Sequence, residues 1–294
     1  MTDRREIASN GRVAHMSLKG HVAADRFVDG ETASVEATIS DLLSAPGGVR
    51  ERQLVRGEQF KVLEVQGGHA FGYAERDGYV GWIAVSDVDG APGTPPPTHA
   101  VAVRQTYAKA SASLKATEEP VHLSFGSRLT VTGDIDGWSR TIWSVGGEEG
   151  GSTELFVPPG HLRKLSEPMR DPVDVANLFL GTPYLWGGNS AFGLDCSGLV
   201  QAAMLACGIP CPGDSDQQAA RLGEALGDGQ APKRGDVWFW DGHVGILSQP
   251  DRLLHANAHH MAVVEEPLDE AVERIRQNEG LDVSARRRVN RPDE

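Results

Sequence analysis

Three scarcities in this chain each exclude a class of protein. It has 3 cysteines in 294 residues, an odd number and too few for a disulfide framework. It has no apolar run approaching the roughly 20 residues of a membrane-spanning helix. Basic residues are outnumbered, 28 Lys and Arg against 41 Asp and Glu, for a net charge of −13. That balance argues against nucleic acid or an anionic membrane surface as the main partner. The opening residues Met1-Thr2-Asp3-Arg4-Arg5-Glu6 are polar, and no apolar segment follows the arginines. No secretory leader is read, so the cytoplasm is the expected location, and reduced thiols suit it.

The composition is that of an ordinary globular protein, 39% hydrophobic and 23% charged, in a chain long enough for two or three domains. Residues 1–32 read as an extended lead-in. Residues 33–90 read as a small β-barrel: Phe60 to Val65 alternates weakly, and the Asp77-Gly78 turn leads into Tyr79-Val80-Gly81-Trp82-Ile83. A Pro/Gly-rich linker covers residues 91–98. Residues 99–168 form a second β-rich unit, with strands around Val101, Leu129 and Trp138 and a Gly146–Gly151 hairpin tip. The two units share an order of strand, glycine turn and aromatic strand, as a diverged repeat would.

Residues 169–294 change to mixed α and β. Asp171-Pro172 makes an N-cap and N1 pair. Further helices are expected over Ser197–Leu205, Asp216–Leu222 and Pro267–Ile275. Strands are expected over Asp236–Trp240, Val244–Leu247 and Met261–Val264, with an edge strand over Leu281–Ser284. Helices carrying a cysteine and strands carrying histidines make an α+β arrangement.

The chemistry gathers there. Cys196 lies at a loop-to-helix boundary in Gly193-Leu194-Asp195-Cys196-Ser197-Gly198. A free cysteine, with a pKa near 8.5, is only a few per cent thiolate at neutral pH. A helix N-terminus and a neighbouring histidine both favour the thiolate. His243 opens a strand after the Asp241-Gly242 turn. His255, on the adjacent strand, is placed to bond its other ring nitrogen and fix its tautomer. The backbone N–H of Cys196 and the Tyr184 hydroxyl are candidate oxyanion donors.

Bland alternatives stand beside these. Cys196 also fits a buried inert thiol, and spacing alone leaves both open. Cys207 and Cys211 read as filler or loop residues. His255, His259 and His260 raise a metal site, but zinc needs at least three well-placed ligands and no second acidic ligand lies nearby in sequence. No metal and no cofactor are expected, and His259 and His260 read as loop residues at a cleft. Asp195 is either the cap of the cysteine helix or a carboxylate that holds a cationic substrate amine. Ser215 with Gln218 matches a capping box. Trp186 is either a wall of the site or a core indole, and Tyr79 reads as a strand aromatic.

Taken together, Pro183-Tyr184-Leu185-Trp186-Gly187-Gly188, Asp195-Cys196-Ser197-Gly198, Gly235-Asp236-Val237, His243-Val244-Gly245-Ile246 and Leu254-His255-Ala256 resemble the NlpC/P60 family of papain-like cell-wall peptidases, over roughly residues 170–280. The upstream part resembles the tandem bacterial SH3-like domains that precede such a domain in γ-D-glutamyl-L-diamino-acid endopeptidases of muropeptide recycling. The resemblance implies an α+β papain-like catalytic domain preceded by two small all-β SH3-like barrels. It makes Cys196 the nucleophile, His243 the general base and acid, and His255 the third polar residue. Tyr184 lies near the oxyanion site, Trp186 lines the site, and Asp195 and Ser215 hold the substrate's free amine. In relatives the first SH3-like domain closes the far side of the cleft. Tyr79 is the best match for its contributing tyrosine, and Glu51 is matched to an amine-binding acid.

The implied substrate is a murein-derived peptide such as L-Ala-γ-D-Glu-meso-diaminopimelate, cut between γ-D-glutamate and meso-diaminopimelate or L-lysine. One departure is Gly213, where a basic residue is expected before Asp214-Ser215. The alternatives are a papain-like amidase or acyltransferase, and a non-catalytic wall-peptide-binding module.

Overall fold

A computed structural model describes residues 3–89, 95–145, 151–227 and 229–289. The chain divides into two compact units, Met1–Glu167 and Pro168–Glu294.

In the first unit, short strands bounded by glycine turns build a seven-stranded antiparallel sheet. Its spatial order is Arg50–Val55, Ile39–Leu43, Val80–Ala84, His69–Ala74, Gln59–Gln66, Glu31–Val35 and Val88–Asp89. Val35, Leu42, Leu54, Phe60, Ala70, Tyr79 and Ile83 fill its core. The Glu31–Val35 strand crosses the boundary expected at residue 33, and the lead-in is an integral part of the unit. Val13 is buried against Leu63, Phe71, Val80 and Trp82, and Val13–His15 pairs in parallel with Arg26–Val28. Asn10, Arg12 and Arg26 all bond Glu64. These links, spanning dozens of residues, replace the extended lead-in expected from local sequence.

A five-stranded sheet follows in the same unit, ordered Gly151–Val157, Trp138–Val145, Arg128–Ile135, His99–Val101 and Leu162–Lys164, with a separate hairpin of Gln105–Ala108 and Val121–Ser124. Val101, Ala108, Leu123, Leu129, Trp143 and Val157 form its core. The two β segments meet closely. Arg128 N–H donates to the Arg56 carbonyl at 2.8 Å, and the Arg56 guanidinium lies 3.8 Å from the Trp143 ring centroid. Gly57 has φ +77°, and a Cβ there would come within 2.1 Å of the Arg128 carbonyl oxygen, so only glycine fits this contact. Residues 146–150 of the expected hairpin tip and residues 91–94 of the expected linker lie outside the described residues.

Among the described residues, the second unit holds a six-stranded antiparallel sheet, a two-stranded pair of Asn189–Ser190 and Gly193–Leu194, and four helices. The spatial order is Glu224–Ala225, Ala285–Arg288, Val237–Trp240, His243–Gln249, Arg252–Asn257 and Ala262–Pro267. The helices are α1 (Pro172–Asn177), α2 (Cys196–Ala206), α3 (Ser215–Arg221) and α4 (Leu268–Glu279). Asp171 caps α1 by accepting from Val173 N–H at 2.8 Å, with Pro172 at the first helical position. Helix α2 buries Leu199, Val200, Ala203 and Met204. Helix α4 buries Leu268, Ala271 and Ile275 against Trp240, Leu247 and Leu253.

Two local expectations are corrected. The last strand is Ala285–Arg288 rather than Leu281–Ser284, and it lies inside the sheet, with Glu224–Ala225 on one side and Val237–Trp240 on the other. Asp214, not Ser215, is the N-cap of α3. The capping box fails because Gln218 is fully buried and donates inward, to the carbonyls of Ser197 (3.0 Å) and Pro212 (2.9 Å). That bond docks α3 on the first turn of α2.

Candidate active site

The site is built on the start of α2. Asp195 is extended and caps the helix, its Oδ1 accepting from Gly198 N–H at 2.7 Å and the Ser197 hydroxyl at 3.1 Å. Its Oδ2 accepts from Gly187 N–H at 3.0 Å. One buried carboxylate therefore holds both the helix N-terminus and the Trp186–Gly188 loop. These bonds establish the capping reading of Asp195, and an ionised carboxylate with about four lone-pair sites is not exhausted by them.

Cys196 is the first residue of α2 and is buried. There the backbone N–H groups of the first turn give a positive end to the helix, which favours a thiolate. Its Sγ lies 4.0 Å from the carbonyl oxygen of Gly242, the residue before His243, so the Asp241-Gly242 turn brings the start of the histidine strand to the sulfur.

His243 Nε2 lies 2.8 Å from His255 Nδ1, with ring centroids 5.0 Å apart. The Trp240 ring flanks His243 at 5.6 Å. His255 has no exposed surface, and its Nε2 lies 2.6 Å from Glu266 Oε1. Arg274 of α4 binds the same oxygen. An ionised carboxylate only accepts, so the proton of neutral His255 sits on Nε2 and its Nδ1 is an acceptor. It follows that His243 donates through Nε2–H and keeps a lone pair on Nδ1. The Asn257 amide nitrogen, 3.0 Å from His255 Nε2, then packs beside that nitrogen rather than bonding to it.

The electrostatics agree with neutral rings. Burial pushes His243 down to about 3, with the nearby His255 and Arg274 adding to the effect and Glu266 opposing it. Burial also lowers His255, against the hydrogen bond it donates to Glu266. Glu266 itself would be raised by burial, but its bonds to His255 and Arg274 prevail and hold it down to about 2.

The remaining expected residues fall at varied places. Tyr184 is half-buried, donates its N–H to the Met261 carbonyl at 3.0 Å and bridges to Leu194, one residue before Asp195. Trp186 is 70% exposed, which rules out the core-indole alternative. Ser215 is the first residue of α3. His259 and His260 stack edge to face in the exposed turn after Asn257. Among the described residues no group of three or more His, Cys, Asp or Glu could hold a metal ion. Cys207 and Cys211 are buried and in no disulfide among the described residues. In the other unit, Tyr79 is packed into the core, and the Glu51 carboxylate is bound by Arg4.

Glu266 and Arg274 were not anticipated from sequence. The available signal is strand parity: Val264 pairs with His255, and Glu266, two residues on, shares its face.

Residues 181–277 match the NlpC/P60 family, and residues 42–88 match the bacterial dipeptidyl-peptidase SH3 domain. The chain carries an NlpC/P60 domain. A γ-D-glutamyl-L-lysine dipeptidyl-peptidase of Bacillus subtilis (strain 168) is 33% identical over 148 residues, which cover 47% of this chain and 48% of that protein. A protein of the same name from Bacillus cereus (strain ATCC 10987) is 40% identical over 70 residues, 24% of this chain and 20% of that one. The chain thus spans about half or less of the curated relatives it matches. The crystal structure of an NlpC/P60 family protein from Bacillus cereus ATCC 10987 aligns over 88% of this chain and 99% of that chain with a TM-score of 0.73 at 19% identity, a likeness of fold. The architecture is therefore a papain-like NlpC/P60 domain joined to a bacterial SH3-like domain, and Cys196, His243 and His255 all lie inside the NlpC/P60 match.

Proposed function

We propose that this protein is a cysteine endopeptidase that hydrolyses the bond between γ-D-glutamate and a diamino acid, meso-diaminopimelate or L-lysine, in murein-derived peptides with a free N-terminal L-alanine. The observation that carries this reading is Cys196 at the head of α2 against the Gly242-His243 turn, with His243 bonded through Nε2 to His255. The name of the relatives, γ-D-glutamyl-L-lysine dipeptidyl-peptidase, supports the choice of bond.

In this mechanism the Cys196 thiol gives its proton to His243 Nδ1 as Sγ attacks the γ-carbonyl carbon. The oxyanion is met by the Cys196 N–H and the Tyr184 hydroxyl. His243 then protonates the leaving amine of the diamino acid, leaving a thioester on Cys196. Water, deprotonated by His243, releases L-Ala-D-Glu and restores the thiol. Trp186 and Ser215 line the peptide site. The second β segment is read as a second SH3-like fold, and the role as recycling of released wall peptides in the cytoplasm, where Cys196, Cys207 and Cys211 stay as thiols.

Incubation with L-Ala-γ-D-Glu-meso-diaminopimelate and its L-lysine counterpart, read by mass spectrometry, tests the proposal. The wild type is expected to release L-Ala-D-Glu, Cys196→Ala to release none, and an N-acetylated substrate to be refused. No cleavage by wild type, or equal cleavage by Cys196→Ala, sinks it. An added amine acceptor in the same assay separates hydrolysis from acyl transfer.

A further inference from the structure

Behind the histidine pair lies a second layer of charge that the proposed chemistry does not itself require. Glu266 comes from the Ala262–Pro267 strand and Arg274 from α4. Both side chains are 16% exposed, and both converge on a histidine with no exposed surface. A carboxylate and a guanidinium drawn out of water beside a buried ring are costly unless each is bonded, and here each is. The other charged groups around the pair have partners elsewhere. Glu265 turns to Ser248 and Arg252, and the His260 ring lies 3.1 Å through Nδ1 from Asn257 Oδ1.

We propose that Glu266, held by Arg274, is a positioning residue for the cysteine–histidine chemistry: it fixes the proton of His255 on Nε2, so that Nδ1 is the nitrogen of His243 left to take the Cys196 proton. This role rests on the catalytic reading of Cys196 and His243 and deepens it. A neutral imidazole has one N–H, and its two tautomers are close in energy until a partner chooses between them. Were His255 to carry its proton on Nδ1, that N–H would meet Nε2 of His243. His243 would then hold its own proton on Nδ1 and be no base toward the thiol. The carboxylate excludes this state because it can only accept.

Glu266 has a second effect as the reaction proceeds. When the thiol proton reaches His243 Nδ1, an imidazolium forms where burial and Arg274 both oppose positive charge. The Glu266 charge opposes them, relayed through two hydrogen bonds that both strengthen as the charge appears. No proton needs to leave His243 for Glu266, and Cys196 and His243 alone exchange it.

Two substitutions separate these effects. Glu266→Gln keeps an acceptor for His255 Nε2–H and removes the charge, whereas Glu266→Ala removes both. Each leaves Arg274 uncompensated, so Glu266→Gln/Arg274→Gln is made as well, and Glu265→Gln serves as the neighbouring control. The full chain is assayed three ways: the iodoacetamide rate of Cys196 against pH, kcat and KM on the tripeptide, and nitrogen NMR of the histidine rings. We expect the thiolate limb of the alkylation profile to move up by about one pH unit in Glu266→Gln, a roughly tenfold loss of thiolate at neutral pH. The value of kcat should fall roughly 10-fold in Glu266→Gln and about 100-fold in Glu266→Ala, the scale seen when partners behind a functional histidine are lost, with KM little changed. The double variant should remain slow. His255 should carry its proton on Nε2 in wild type and lose that preference only in Glu266→Ala.

A purely structural role would lower the thermal midpoint and leave the pH profile in place. An unmoved profile with unchanged kcat in Glu266→Gln and in the double variant overturns the proposal, even if Glu266→Ala fails to fold. If wild-type Cys196 instead alkylates as an ordinary thiol with no dependence on His243, the catalytic reading fails first, and the two failures are distinct.

Discussion

A Cβ on Gly245 would stand 3.0 Å from the Cβ of His255 and 2.7 Å from Cδ1 of Leu253. The two strands thus close together where the histidine pair is made, and the glycine of the His243-Val244-Gly245 run has a packing reason. Gly245→Ala should push His255 away from its 2.8 Å contact with His243. Overpacking of this kind costs about 1–3 kcal/mol, so we expect a lower thermal midpoint together with a fall in kcat. A stable Gly245→Ala protein with wild-type kcat would show that the strand spacing does not govern the pair.

Asp195 joins two structures through one carboxylate. Its removal in Asp195→Ala deletes the cap of α2, typically worth ~1 kcal/mol, and leaves the buried Gly187 N–H without its acceptor, a further ~1–3 kcal/mol. Stability and Cys196 alkylation should both drop. Asp195→Asn keeps one oxygen for Gly198 and turns a donor toward Gly187 N–H, so it should fall between. Chemical denaturation and iodoacetamide rates on the three proteins check the order; equal loss in Asn and Ala would remove the loop from the account.

Acid should destabilise the fold through the same histidines. His243 is held at about 3 in the folded protein against an ordinary 6.5. Between those values the unfolded chain binds a proton that the folded one does not. The stabilisation is therefore complete above pH 6.5 and is lost as pH falls toward 3. Glu266, at about 2 against 4.5, contributes with the same sign over a lower window. Urea midpoints should drop between pH 7 and pH 4, and His243→Gln should flatten the upper part of that slope. A midpoint independent of pH over this range would contradict the buried neutral pair.

Trp186 exposes most of its indole beside a loop bonded to the Cys196 helix cap. Trp186→Ala should change stability by no more than about 0.5 kcal/mol, as exposed positions do, while raising KM for the tripeptide. Unchanged KM would remove it from the peptide site.

The helix bearing Cys196 was legible because Asp195 caps it locally, and the histidine pair because two histidines near the facing ends of adjacent strands announce one face. Glu266 was not legible. In Val263-Val264-Glu265-Glu266 two neighbouring carboxylates point to opposite faces, and only the register with the His255 strand tells which one meets the ring. The cap of α3 was ambiguous for a similar reason, since Asp214, Ser215 and Asp216 are all cap-competent and the burial of Gln218 decides among them. Tyr79 illustrates the reverse limit: a strand aromatic looks the same in sequence whether or not it packs into a core, as this one does. The structure of residues 1–32 is not legible in the local sequence, because it depends on Arg12 and Arg26 reaching Glu64, contacts no local pattern announces.

The placement of the final strand has a consequence for biosynthesis. Ala285–Arg288 is inserted in the catalytic sheet, paired to Val237–Trp240, and Arg288 grips Asp236 at 2.7 Å. A ribosome finishes the β-rich first unit early and supplies this strand after the other five of its sheet. Until it emerges, Val237–Trp240 has one open edge, and its other neighbour is the strand that carries His243. Cys196, His243 and His255 are thus all translated before the sheet beneath them can close, and the pairing of Ala285–Arg288 completes that sheet in a single late step of its folding.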